Sequence, residues 1–241
     1  MNIILITTGG RPDLLRQSLE SLRDNAADWS KHTITLVMDG INQGCDSIHS
    51  FHPLTYIDHS EPMGASRARN IGASSIPKYR RQEHVCFLDD DVYACPGPKP
   101  WEKLEAWDNQ LLRLAEPNEE CIISGHAHPY NHAKKKSCNS GSIQYEEPLL
   151  ISTVNMVMPW SLWDDVGYFV EPGGPGGSED YNYCMRAKAK GYGFAVTDPH
   201  CIIHCGLTSS RGQQIVGYDL VVAKNRELVK NLGLEKKVVF A

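Results

Sequence analysis

Short apolar runs alternate with helical-period segments along the chain, and this pattern predicts strands and helices in turn. Residues 2–7 (Asn-Ile-Ile-Leu-Ile-Thr) are an apolar run of strand length. Gly9, Gly10 and Pro12 end it. Leu14, Leu15, Ser18, Leu19 and Leu22 then trace one face of a helix starting near Pro12. Further strands are expected at 33–38, ending on Asp39-Gly40, and at 54–57. Gly64 to Ser75 reads as a short helix carrying Arg67, Arg69 and Asn70. The run Val85-Cys86-Phe87-Leu88 predicts a buried strand that stops at three acids, Asp89-Asp90-Asp91.

A proline-rich turn at 96–100 precedes Trp101, Leu104, Leu111, Leu112 and Ala115, which suggest a helix, and 120–124 reads as a strand. Residues 126–147, around Lys134-Lys135-Lys136, show neither period and are expected to form a mobile excursion, with the lysines in a solvated loop. Leu149–Met158 is strand-like, and Trp160 to Val166 forms a short helix. Ser178 suits the N-cap of a helix over 179–190 that Gly191 ends. Short strands at 193–196 and 201–204, a polar loop from Gly206 to Gly217 and a helix near 219–231 complete the pattern. No internal repeat or low-complexity segment is present. The alternation predicts an α/β fold, a mainly parallel sheet covered by helices.

Composition narrows the classes. A chain of 241 residues is long enough to bury a full core. Its 24 Lys+Arg against 29 Asp+Glu, formally −5, give no general attraction for nucleic acid or an anionic membrane. Met1 to Thr8 lack the basic and apolar regions of a signal peptide, and no window reaches the ~18 apolar residues of a membrane span, so a soluble, cytoplasmic protein is expected. Eight cysteines without a framework spacing point to reduced thiols. The cluster His200-Cys201-Ile202-Ile203-His204-Cys205 invites a zinc reading, but no CxxC partner exists elsewhere and strand alternation separates its side chains.

Strands of a parallel sheet emerge at one edge, so Thr7, Asp39 and Asp89 to Asp91 are expected on a common rim, the ligand crevice of open α/β sheets. Carboxylates there suit a divalent cation beside a phosphorylated substrate. Asp39 would accept from a base or sugar donor, unless Asp39-Gly40 is an ordinary turn. Asp89 and Asp91, on alternate positions, would face a ribose hydroxyl and a metal. Arg67 and Arg69 suit a phosphate or an acidic partner. A second acidic pair, Glu179-Asp180, follows the stretch Pro172-Gly173-Gly174-Pro175-Gly176-Gly177 and either caps a helix or does chemistry. Trp160 and Trp163 either stack on a sugar or pack in the core. The loop 206–217, with Ser209, Ser210 and Arg211, would close over a diphosphate or be plain surface.

Five segments in order carry a resemblance. Ile3 to Leu22 (IILITTGGRPDLLRQSLESL), Met38-Asp39-Gly40, Gly64 to Ala73 (GASRARNIGA), Phe87 to Val92 (FLDDDV) and Gly177 to Tyr192 (GSEDYNYCMRAKAKGY) resemble the motif set of family 2 glycosyltransferases with the GT-A fold. The likeness spans residue 3 to about 204. It implies a nucleotide-binding, mainly parallel sheet flanked by helices with a smaller mixed acceptor-side sheet. It also implies one domain whose residues 1–95 bind the nucleotide sugar and whose residues 96–241 bind the acceptor, with a lid and a C-terminal helix.

The resemblance also implies roles. Thr7 or Thr8 and Arg11-Pro12 lie beside the nucleotide base, which Asp39 reads. Ala68-Arg69-Asn70 borders the nucleotide. Asp89-Asp90-Asp91 is the DxD motif, with Asp91 the best metal ligand, joined by Asp89 and by His204 on a late strand. Glu179-Asp180 supplies the catalytic acids, with Asp180 as base. One departure is Thr-Thr-Gly-Gly before Arg11-Pro12, where the family usually shows a Tyr or Phe and an Asn. The implied enzyme is an inverting, hexosyltransferase-like glycosyltransferase moving a sugar from a nucleotide diphosphate, a UDP-sugar first, to a hydroxyl with Mn²⁺ or Mg²⁺. A nitrogen ligand tilts the metal towards Mn²⁺. The acceptor is open: a glycan, a lipid-linked sugar, a protein or a modified nucleic acid. Alternatives are a glycosyltransferase acting on hydroxymethylated DNA bases, a sugar nucleotidyltransferase and a catalytically silent carbohydrate-binding protein.

Overall fold

The computed structural model describes residues 1–7, 12–40, 48, 54–59, 61–94, 105–126, 134–140, 143–148, 150–171, 179–198 and 200–204. Thr8, Arg11, the Ser178 cap, the loop 206–217 and the helix near 219–231 lie outside them.

In chain order the elements are β1 (Asn2–Thr7), α1 (Pro12–Asp24), β2 (Thr33–Asp39), β3 (Leu54–His59), α2 (Ala65–Ser74), β4 (His84–Asp89) and β5 (Val92–Ala94). They continue with α3 (Trp107–Ala115), β6 (Cys121–Ser124), β7 (Lys134–Ser140), β8 (Ile143–Glu147), β9 (Asn155–Pro159), α4 (Trp160–Val166), α5 (Glu179–Ala189), β10 (Gly193–Asp198) and β11 (Ile202–His204). Nine strands make one sheet in the order β3-β2-β1-β4-β9-β6-β10-β8-β7. The block β3-β2-β1-β4 is parallel, and β9 runs antiparallel to both β4 and β6. The carboxyl end of β6 therefore emerges on the same edge as those of β1, β2 and β4. The second sheet is the antiparallel pair β5 and β11.

The central strands are apolar throughout because both faces are covered. Ile3 and Leu5 of β1 join one core with Leu15, Leu19 and Leu22 of α1 and Trp107, Leu111 and Leu114 of α3. Ile4 and Ile6 point the other way, into a core with Phe87, Trp160, Trp163, Phe169 and Tyr183. Ser18, a polar residue on the buried face of α1, donates its hydroxyl to the Val92 carbonyl at 2.6 Å. Helix α1 thus carries β5. Helix α2 buries small residues, and a Cβ at Gly72 would come within 2.5 Å of Ile4 Cγ2, so α2 lies directly on β1 and β2.

Two expectations are corrected. The segment 126–147 contains the hairpin β7–β8, with Lys134 facing Glu147, Lys135 facing Glu146 and Lys136 facing Tyr145 in the ladder. Its polar sequence hid it, because its order comes from pairing of β8 with β10 rather than from an apolar face. The strand expected over Leu149–Met158 begins only at Asn155. Trp160 and Trp163 are buried: Trp163 stacks on Tyr183 with ring centroids 5.6 Å apart and lies 5.0 Å from Phe87. They pack the core and offer no sugar platform.

Candidate active site

Thr7, Asp39 and Asp89 close three neighbouring parallel strands, so the sheet itself aligns them on one rim. Thr7 donates its hydroxyl to Asp90 Oδ2 at 2.5 Å, which turns the middle acid of the triplet inward and leaves it 1% exposed. Asp39 is also buried. Its two oxygens accept the backbone N–H groups of Met63 (2.5 Å) and Gly64 (2.9 Å), where Gly64 takes φ 89° just before α2. Asp39 thereby fixes the entry to the helix that carries Arg69.

Arg69 is the hub of the site. From within the fold it donates Nη2 to Asp89 Oδ1 at 2.5 Å and Nη1 to Glu179 Oε1 at 3.3 Å. Two acidic motifs 90 residues apart are thus held by one guanidinium, whose Nε is buried without a partner among the described residues. It binds acids of this chain, whereas Arg67 on the same helix is exposed. The next residue, Asn70, clips a different segment: its amide donates to the Phe169 carbonyl and to Glu171 Oε1, both at 2.8 Å, and accepts from Phe169 N at 2.9 Å. Adjacent residues of α2 therefore pin Phe169–Glu171 and the start of α5, the two flanks of the glycine-rich stretch.

Asp91 Oδ1 lies 3.2 Å from His204 Nε2. The cause is the small sheet, where His204 pairs with Val92 and so sits next to Asp91. A third residue joins them that rim reasoning passed over. The His126 ring stands edge-on to that of His204, with centroids 5.7 Å apart and planes at 80°. Its signal was available in Cys-Ile-Ile-Ser-Gly-His, an apolar run ending at a polar residue, the same pattern that marked Asp89.

Asp180 begins α5 beside Glu179 and accepts Tyr181 N at 2.7 Å. Burial, and then the Glu179 charge, push its carboxyl up to about 7, against the opposing pull of the Tyr181 N–H and Arg69. Burial also raises Asp89, with Arg69 pulling the other way. Asp180 is a carboxylate poised to take a proton near neutral pH.

Two donors 3.2 Å apart suit a single cation, since ligands at about 2.1 Å meeting at a right angle stand about 3 Å from each other. Asp91 and His204 therefore fit a divalent metal, although no cage of three His, Cys, Asp or Glu is closed among the described residues. The zinc reading of 200–205 fails because Cys201 is buried, where it accepts from Thr197 Oγ1 at 3.6 Å, while His200 is exposed. A cavity of about 360 Å³ lined by His32, His84 and Asp108 includes none of the rim residues. It lies at the amino-terminal edge of the sheet, away from the acids.

Residues 3–106 match the family described as "Glycosyl transferase family 2". No curated protein matches the chain. Among solved structures, GalNAc-T7 crystallised with UDP, GalNAc and Mn²⁺ superposes at TM-score 0.64 with 10% identity, over 84% of this chain and 42% of that one. TarS of S. aureus superposes at TM-score 0.54 with 16% identity, over 81% of this chain and 34% of that one. The chain thus spans less than half the length of either. No helix among the described residues is long and apolar enough to cross a membrane. Residues 3–106 thus resemble family 2 glycosyltransferases, and the chain as a whole shares the GT-A architecture of these two structures.

Proposed function

We propose that this chain is an inverting, metal-dependent glycosyltransferase that moves a sugar from a UDP-sugar to an acceptor hydroxyl, with Asp180 as base. The observation that carries the reading is the Arg69 bridge, which brings Asp89 and the Glu179-Asp180 pair to one place beside Asp91 and His204. Residues 1–95 would form the nucleotide-sugar half and 96–241 the acceptor half. The reduced, buried thiols Cys86 and Cys184 accord with a cytoplasmic site of action.

Asp91 and His204 would hold Mn²⁺ or Mg²⁺, which when bound supplies positive charge against the departing diphosphate. Asp39, which holds Met63 N and Gly64 N, would stand beside the base, and Asp89, which Arg69 orients, would face the ribose. Asp180 takes the proton from the acceptor hydroxyl as its oxygen attacks the anomeric carbon. The bond from that carbon to the diphosphate oxygen breaks with its electron pair leaving on the diphosphate, so the configuration inverts. A DNA-base acceptor would want a basic groove. The lysine run lies in β7, with Lys134 opposite Glu147 and Lys135 opposite Glu146 in the backbone register.

Calorimetric titration of UDP with and without Mn²⁺ tests the donor half of this reading. Binding is expected to need the metal, and Asp91→Ala to abolish that dependence. Asp90→Ala should instead cost stability, because its carboxylate is spent on Thr7. Equal UDP affinity in EDTA would refute the metal bridge, and unaltered ligand binding by an inactive chain would favour a silent carbohydrate-binding protein.

A further inference from the structure

We propose that the cavity at the amino-terminal edge of the sheet is a second ligand site, separate from the catalytic rim, that takes a small alkylammonium ligand on His84. This site is independent of the sugar-transfer reading.

The cavity lies between the 27–32 connection, the start of β4 and helix α3, where Asp108 and Leu112 stand one turn apart. Its volume of about 360 Å³ is at the small end of ordinary ligand pockets. His84 opens β4 and Asp89 closes it, so the rise of the strand puts roughly 17 Å between this place and the rim acids.

His84 is the group that asks for a ligand. It lines the cavity, is 2% exposed, and its Nε2 is buried with no hydrogen-bond partner among the described residues. Buried polar atoms are nearly always paired, so an unpaired imidazole nitrogen against a cavity is a hydrogen-bonding group held for a ligand. Burial keeps His84 below the usual histidine range, against the opposing pull of the Glu83 charge, and so favours the neutral ring. In its Nδ1–H tautomer that ring presents Nε2 as an acceptor.

The other inner polar groups are spent on one another. Asp108 Oδ1 accepts Ala27 N at 2.9 Å and Asn109 N at 3.0 Å, and its Oδ2 meets His32 Nε2 at 2.8 Å. His32 Nδ1 in turn lies 3.3 Å from Met1 N, and Asp28 pairs with Lys31 at 3.6 Å. What is left in the lining is the His84 acceptor inside and two exposed carboxylates, Glu83 and Glu116. An acceptor within and negative charge at the surface suit a group that both donates and is positive, and Leu112 gives its alkyl stem an apolar wall. An anion would meet the two carboxylates. A metal ion would find too few ligands, since no group of three His, Cys, Asp or Glu that could hold one occurs among the described residues.

The test titrates putrescine, a short diamine whose second ammonium can reach Glu83 and Glu116, into the full chain at low salt. Binding is read by calorimetry and by the nitrogen shifts of the histidine rings for the wild type, His84→Phe, His84→Gln and Glu83→Gln/Glu116→Gln. His84→Phe is expected to weaken binding about 10–100-fold, as loss of a hydrogen bond to a charged group does. His84→Gln, whose Oε1 can accept, should recover part of that loss. The doubly neutralised variant, altered only at exposed positions, should bind roughly 3–10-fold more weakly and with less salt dependence. UDP with Mn²⁺ should not compete. Binding that leaves the His84 nitrogens unmoved, that His84→Phe retains, or that UDP displaces would overturn the proposal. So would the absence of binding at millimolar putrescine, and the transferase reading would stand in each case.

Discussion

Replacing Arg69 with Met keeps the length of the side chain and removes the guanidinium that contacts both Asp89 and Glu179. The guanidinium is 2% exposed, and its carboxylates 26% and 13%. Removing one partner of a buried ion pair costs about 3–5 kcal/mol, because the other charge stays buried and unpaired. Both carboxylates still touch solvent, so the low end applies, about 3 kcal/mol. For a chain of this size that corresponds to a fall in Tm of roughly 6–12 °C. Urea denaturation and thermal unfolding read the loss directly. Arg69→Lys should not rescue it, since a single ammonium cannot fork to carboxylates on two different elements. Arg69→Met/Glu179→Gln should be less destabilised than the sum of its parts, as the acid that lost its partner is neutral. An Arg69→Met protein within about 0.5 kcal/mol of wild type would show that the guanidinium does not hold the two motifs together.

Asp180→Asn cannot accept the acceptor's proton, so transfer should fall roughly 10²–10⁴-fold while UDP affinity holds; full activity would move the base to Glu179. Wild-type turnover should rise with pH through about 7 as Asp180 loses its proton, and a flat profile there would refute the assignment. The same group predicts a stability trend: its carboxyl stands above the ordinary 3.8 in the folded chain, so its contribution is full below about pH 4 and is lost as pH rises through about 7. Asp180→Asn should flatten that part of the pH–stability curve measured by urea titration. Gly125→Ala should cost about 1–3 kcal/mol by overpacking against Cys201 and Ile202 and should weaken Mn²⁺ binding together with stability; a neutral effect on both would mean that β11 can move away freely.

Much of the framework was legible along the chain because local pattern and burial agree there. The apolar runs of β1 and β4 need both faces covered, and the acids that end β4 had to emerge where the sheet does. Helices α4 and α5 began where Trp160 and Glu179 suggested. Asp91 lies beside His204 because of the β5–β11 register. Other features have no local signature. The β7–β8 hairpin is polar and exists because β10 offers an edge to pair with. Trp160 and Trp163 look alike in sequence whether they stack on a sugar or fill a core, and only the neighbouring Phe87, Phe169 and Tyr183 decide it. Nor does any spacing reveal that Arg69 faces two acids, or that a glycine brings His126 to His204. Pattern along a chain reports which side chains must leave water. Which charges then meet across 90 residues depends on how the layers stack, and that is decided only in the folded protein.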